Sequence, residues 1–195
     1  GPKEITVFDF DERICNAVTR FADAERIETL RSVNYNCLEA FPEVGSFDCF
    51  YTNPPWGASN DGASVHVFMQ RGMEAIGNQG EGMIVIADDH EIDWPQEVLG
   101  TTQKFAIDHG FFIQKMVSKV HQYHLDDSPE LRSCNLLIKS LPSNPAISTS
   151  ESITDPARLD HFYGKDQAAR IRYVKEKSRV DYGKANDSEY ELDYL

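Results

Sequence analysis

The chain has 195 residues, 41% of them apolar, and a formal net charge of −13. That length suits one domain with its own core, and the apolar content excludes wholesale disorder. No apolar run approaches the roughly 18 residues of a membrane span, and the charge argues against a nucleic-acid backbone as the main ligand, since such binding needs clustered Lys and Arg.

A cationic partner fits the charge better, although an acidic surface also serves solubility alone. No leader pattern precedes the first strand, so a cytoplasmic protein is expected. Cys15, Cys37, Cys49 and Cys134 form no CxxC pair and read as free thiols. His121 and His124 are the one close histidine pair, too little for a metal site, and no metal is expected.

In chain order, "ITVFDFD" (5–11) reads as a buried strand ending in carboxylates. "DERICNAVTRFADAERI" follows as a helix, with Ile14, Val18, Phe21 and Ala22 at helical spacing. "RSVNYNC" (31–37) is a second short strand and "LEAFPEVGS" a loop. "FDCFYT" (47–52) is a third strand, stopped by Pro54. "SVHVFMQRGMEAIG" (64–77) is a helix with Val67, Phe68, Met73 and Ile76 to one side and Gly77 as its stop.

"GEGMIVIAD" (80–88) is apolar almost throughout, as expected of a central strand. "PQEVLGTTQKFAIDHG" is a helix ending at Gly110. "FFIQKMVSKVHQYH" (111–124) and "LRSCNLLIKS" (131–140) are two strands joined by a short link that suits an antiparallel pair. The order β-α-β-β-α-β-α-β-β indicates an α/β protein with a doubly wound, Rossmann-like sheet finished by a C-terminal antiparallel hairpin.

Beyond residue 140 the composition turns to Ser, Thr and Pro. Residues 1–140 are therefore expected to form the main domain and 141–160 a linker. Residues 161–195 are expected to hold a short helix around 165–177 and an acidic, mobile tail.

In open α/β sheets, ligands sit beyond the carboxyl ends of the strands. Three such ends carry distinctive chemistry. Asp9 can accept from both hydroxyls of a ribose, while Asp11 suits the N-cap of the helix that follows. Asn36 and Glu39, past the second strand, could accept from an adenine amino group.

The third end, "NPPW", is the most specific. The Asn53 side-chain oxygen and the neighbouring carbonyl can both accept from one amino group, and Pro54 and Pro55 fix the backbone so that these acceptors converge. Trp56 adds a flat face to stack on a substrate or cover a cation. The four residues form the candidate catalytic corner, and Asn53 also counts among the donor-binding candidates. The alternative is a plain loop with an exposed Trp.

"VFDFDERI", "FDCFYTNPPW", "VFMQRGMEAIG" and "YHLDDSPELRSCNLLI" resemble, in order and spacing, the catalytic domain of the branched-chain polyamine synthases. The resemblance covers residues 5 to 140, and more faintly "HFYGKDQAARIRYVK". The Asx-Pro-Pro-aromatic motif alone is also similar to that of amino-group methyltransferases. The resemblance implies a Rossmann-like aminopropyltransferase of the methyltransferase type. Such an enzyme moves the aminopropyl group of decarboxylated S-adenosylmethionine to the secondary amine of spermidine and releases methylthioadenosine. Asp61, Asp88, Asp89, Glu91, Asp126 and Asp127, with Trp56, are then candidates to hold the polyamine. Each of these carboxylates alone also reads as a solvated surface charge. A homodimer is one assembly allowed.

Two features depart from the family pattern. The motif of the family has Asp where this chain has Asn53. An Asp can take the proton of an ammonium nucleophile, whereas an Asn only accepts a hydrogen bond. Asp61, Asp88, Asp89 or water would then be the base. The fold is also expected to include a strand and a Gly-rich turn ahead of Ile5, which this sequence lacks. Two other readings stand beside this one. One is an S-adenosylmethionine-dependent methyltransferase acting on an uncharged amino or amide nitrogen. The other is a noncatalytic binder of adenosyl ligands or polyamines. The tail residues Glu189, Tyr190, Glu191, Asp193 and Tyr194 are expected either to close over a polyamine or simply to be a solubilising end.

Overall fold

In a computed structural model, residues 2–123, 131–146, 149–178 and 187–195 are described. Their elements run β1 (Ile5–Asp9), α1 (Glu12–Glu25), β2 (Leu30–Asn34), β3 (Cys49–Thr52), α2 (Ala63–Ala75), β4 (Glu81–Ala87), α3 (Asp93–Asp108), β5 (Phe111–Gln122), β6 (Arg132–Ser140), α4 (Pro156–Leu159), β7 (Ile171–Glu176) and β8 (Tyr190–Tyr194). The first nine follow the order expected from the sequence. The chain divides into two compact units, one of Gly1–Glu39 with Arg170–Leu195 and one of Ala40–Ala169.

In the first unit, β1 and β2 pair in parallel from Ile5↔Leu30 to Asp9↔Asn34, with α1 as the crossover. Asp11 caps α1 as expected: its side chain accepts from the Arg13 backbone N–H at 2.9 Å. Arg26, in the left-handed region at φ 56°, ends the helix by donating to the carbonyls of Ala22 and Asp23. The packing face differs from the expected stripe. Ile14 and Phe21 remain 46% and 54% exposed, and Cys15 and Ala22, two turns apart, are buried instead.

The expected helix around 165–177 is replaced by a strand over Ile171–Glu176. Ile171, Tyr173 and Val174 suit a strand, and it is pairing with β8 that fixes the segment as one. The tail expected to be mobile is, over Tyr190–Tyr194, a strand paired antiparallel to β7 from Ile171↔Tyr194 to Glu176↔Tyr190.

The second unit holds a four-stranded sheet in the order β3-β4-β6-β5. β3 and β4 are parallel, whereas β4–β6 and β6–β5 are antiparallel. One face packs on α2 and α3 through Val65, Met69, Met73, Val98, Ala106, Ile84, Ile86, Leu136 and Ile138. The register is tight where Phe50 enters. A Cβ on Gly72 of α2 would lie 2.4 Å from the Phe50 ring, and one on Gly82 of β4 would lie 2.3 Å from it. Glycine at both positions lets the ring sit against the backbone of two elements. Behind α2, the buried Arg71 guanidinium pairs with Glu74 at 2.6 Å and donates to Ser150 Oγ and the Glu151 carbonyl. Such a buried charge is tolerable because its donors are used.

Candidate functional site

β3 stops where its ladder stops. Thr52↔Ile84 is the last β3–β4 pair, and Pro54, which has no N–H to donate, follows two residues later. Val85 is therefore the first β4 residue beyond the reach of β3. Its carbonyl accepts instead from Trp56 Nε1 at 3.2 Å. The chain turns back at Gly57, in the left-handed region at φ 69°, whose carbonyl accepts from the Asn60 and Gly62 N–H groups. A Cβ at Gly57 would lie 2.5 Å from Asn60 Oδ1, so only glycine fits.

Trp56 is half-buried and held by other rings. Tyr123, just past β5, meets it edge-on at 4.9 Å between centroids and 86° between planes. Trp94, in the first turn of α3, lies 6.4 Å away. Trp56 and Trp94 also pack on the core of the unit. Neither Trp94 nor Tyr123 was expected from the sequence. The signal for Trp94 was a ring beside Pro95 at a helix start, close after the acidic end of β4.

The candidate residues fall at different places around this corner. Asn53 is exposed, Pro54 buried and Pro55 half-buried. Among the described residues no side chain or backbone group hydrogen-bonds to the Asn53 amide. Asp61 is exposed and in the left-handed region at φ 54°, with its backbone carbonyl taken by Thr101 Oγ1 at 3.3 Å. Asp88 and Asp89 follow β4. Asp88 Oδ2 accepts from the Lys119 N–H at 3.0 Å, and Asp89 Oδ1 accepts from the Glu91 N–H at 3.0 Å. The Glu91 side chain is exposed. Burial, and after it the charge of Asp88, pushes the Cys134 thiol up to about 12. Asp126, Asp127 and His124 lie outside the described residues.

Within the first unit, Asp9, Asn36 and Glu39 gather at the carboxyl ends of β1 and β2. Asp9 Oδ1 accepts from the Asp11 N–H at 2.8 Å, which leaves Oδ2 as an acceptor. Burial raises its pKa, against the hydrogen bond from Asp11. Asn36 is 1% exposed, and its amide is used within the fold. Nδ2 donates to the carbonyls of Ile171 and Arg172 at 3.2 and 2.7 Å, and Oδ1 accepts from the Leu38 N–H at 2.9 Å. Glu39 accepts from Arg172 Nε and the Tyr173 hydroxyl, both at 2.7 Å. Burial pushes its carboxyl up, but these two donors prevail and hold it below the ordinary value. Of the three, Asp9 keeps the freest acceptor for a ribose hydroxyl.

Among the described residues no helix is long and apolar enough to cross a membrane. None of their His, Cys, Asp and Glu side chains form a group of three arranged for a metal ion.

A βαβ crossover, a sheet finished by an antiparallel strand pair and ligand-type residues past the strand ends define a Rossmann-like α/β protein of the methyltransferase type. The chain belongs to the family described as "Branched-chain polyamine synthase A C-terminal domain", whose sequence model matches residues 1–193. It is similar in structure to the branched-chain polyamine synthase from Thermus thermophilus, solved in complex with N4-aminopropylspermidine and 5'-methylthioadenosine. That likeness has a TM-score of 0.65 at 20% identity and covers 80% of this chain and 48% of that one. A putative RNA methyltransferase from Pyrococcus horikoshii is similar with a TM-score of 0.53 at 17% identity, over 72% of this chain and 65% of that one. In sequence, the chain is 28% identical over 123 residues to an uncharacterized protein of Methanocaldococcus jannaschii, covering 62% of this chain and 29% of that protein. The chain thus spans about half the length of the Thermus synthase and under a third of the Methanocaldococcus protein.

Proposed function

We propose that this chain carries the catalytic part of an aminopropyltransferase. The reaction moves the aminopropyl group of decarboxylated S-adenosylmethionine to the secondary amine of spermidine. The amine nitrogen attacks the aminopropyl carbon bonded to the sulfonium. The carbon–sulfur bond breaks, methylthioadenosine leaves, and the nitrogen gives up a proton.

The observation that carries the reading is the corner at the end of β3. Asn53 presents an amide with no competing partner among the described residues, and Trp56 is held in place by Val85, Tyr123 and Trp94. An amide oxygen and a neighbouring carbonyl suit an amino nitrogen, and indole and phenol rings suit the ammonium groups of a polyamine. Asp61, Asp89 and Glu91, with the net charge of −13, favour a polycation and give the departing proton acceptors that Asn53 does not provide. In the first unit, Asp9 would take the ribose of the donor through Oδ2, and Glu39, with Asn36 behind it, would lie beside the adenine.

Calorimetry on the full-length protein tests this reading. Methylthioadenosine and spermidine are expected to bind and duplex DNA not to; binding of DNA without spermidine would overturn it. One observation favours a second reading. Asn53 suits an uncharged amide or base nitrogen, which needs no prior deprotonation, so a methyltransferase would use the same corner with S-adenosylmethionine. Methyl transfer to such a nitrogen, with no aminopropyl transfer, would select it.

A further inference from the structure

We infer that Asp88 is a positioning residue that shapes the amine corner through the backbone of β5, rather than a group that pairs with the substrate. The inference rests on the aromatic corner being the amine site.

β5 leaves regular pairing with β6 between Val117↔Asn135 and His121↔Ser133. Four residue steps on β5 answer two on β6, so the strand bulges there by two residues. Lys119 lies at the centre of the bulge in the left-handed region, at φ 55°. A lysine does not adopt that conformation without support, because its Cβ crowds the following carbonyl. The support is Asp88: its Oδ2 accepts from the Lys119 N–H at 3.0 Å. Asp88 is itself fixed, since its own N–H donates to the Arg132 carbonyl at 2.8 Å, where β4 ends against β6.

Four residues beyond Lys119, the strand delivers Tyr123 edge-on to Trp56 at 4.9 Å, and the Tyr123 N–H closes the pair by donating to Leu131 at 2.8 Å. A two-residue bulge resets which residue reaches that spot. Without it, Tyr123 would keep its face of the strand but lie two residues further along β6, out of line with Trp56. Asp88 thus pins the bulge, the bulge places Tyr123, and Tyr123 holds Trp56. Asp88 Oδ2 is engaged by the Lys119 N–H much as Asp89 Oδ1 is by the Glu91 N–H; what sets Asp88 apart is that its bond reaches across to the bulge of β5, whereas that of Asp89 stays within its own turn.

The chain has only two tryptophans, Trp56 and Trp94, and both belong to this cluster, so near-ultraviolet circular dichroism reads its geometry without any ligand. Asp88→Asn keeps an oxygen acceptor and removes the charge; Asp88→Ala removes both. The tryptophan bands are expected to persist in Asp88→Asn and to collapse in Asp88→Ala. Lys119→Gly, which suits the left-handed region, is expected to restore part of the Asp88→Ala signal.

Loss of the bands in Asp88→Asn would overturn the inference, and so would their persistence in Asp88→Ala. If Asp88→Ala does not fold, the Asp88→Asn spectrum decides alone. Spermidine affinity in Asp88→Asn separates direct pairing: a loss as large as in Asp88→Ala, with intact bands, would also overturn it. Failure of the wild-type protein to bind spermidine would instead strike the amine-site reading, while the spectra still decide the role of Asp88.

Discussion

Trp56 is tied to Val85 by a hydrogen bond of 3.2 Å from the indole N–H to the carbonyl of the first β4 residue that β3 does not reach. The end of one strand thus determines the orientation of the ring at the candidate site. Val85 is 1% exposed, so a lost partner leaves a buried carbonyl unpaired. Trp56→Phe is expected to lower stability by about 1–3 kcal/mol in urea unfolding. Trp56→Ala should lower it further and weaken spermidine binding in calorimetry. Wild-type affinity in Trp56→Ala would remove the ring from the amine site.

Asn53 is exposed and bound to nothing among the described residues, so Asn53→Asp is expected to change stability little. In the aminopropyltransferase reading it supplies the missing proton acceptor at the nucleophile and should raise the rate of transfer to spermidine. Single-turnover rates followed from neutral to mildly alkaline pH check this. The gain should be largest at the lower pH, where the amine is most protonated. An unchanged or lower rate would place the nucleophile elsewhere.

Phe50 lies between Gly72 and Gly82, where added Cβ atoms would stand 2.4 and 2.3 Å from its ring. Gly72→Ala and Gly82→Ala are each expected to destabilise the protein by about 1–3 kcal/mol. Phe50→Leu should recover part of the loss in either background. Thermal melts of the single and double variants measure it.

Burial pushes the His66 imidazole down from 6.5 to about 4, beside Phe105, whose ring stacks on it at 4.5 Å. The folded state therefore binds the proton less readily than the unfolded state. The stability contributed by the neutral ring is complete above pH 6.5 and is lost as pH falls from 6.5 toward 4. His66→Phe keeps the stack and removes the titration. The stability difference between wild type and His66→Phe should shift with pH inside that window and stay level above it.

Asn36 spends its amide on the Leu38 N–H and on two carbonyls of β7. Asn36→Ala is expected to cost about 2–4 kcal/mol by leaving these groups unpaired. Chemical denaturation measures that cost. Methylthioadenosine affinity, measured well below the unfolding transition, reports separately on any contact with adenine.

The regular elements up to residue 140 were legible because each carries a strong local pattern. The apolar run of β4 marks a central strand, Asp11 caps a helix, and Pro54 stops a strand. What was not legible depended on long-range partners. β7 reads locally as a helix until β8 pairs with it. Ile14 and Phe21 have helical spacing, but the packing falls on Cys15 and Ala22. The NPPW corner was visible as a motif, whereas Trp94 and Tyr123 are brought to Trp56 only by the β4–α3 connection and the β5 bulge. Asp88 looked like a free carboxylate because no local pattern reveals a hydrogen bond to the backbone of Lys119, 31 residues away.

The most direct test of the central claim is mass analysis of the products. The full-length protein is incubated with spermidine and, in turn, decarboxylated S-adenosylmethionine and S-adenosylmethionine. The account predicts that spermidine gains one aminopropyl group on its secondary nitrogen, with methylthioadenosine released, and only with the decarboxylated donor. Methyl transfer from S-adenosylmethionine, with spermidine unchanged under both donors, would contradict it.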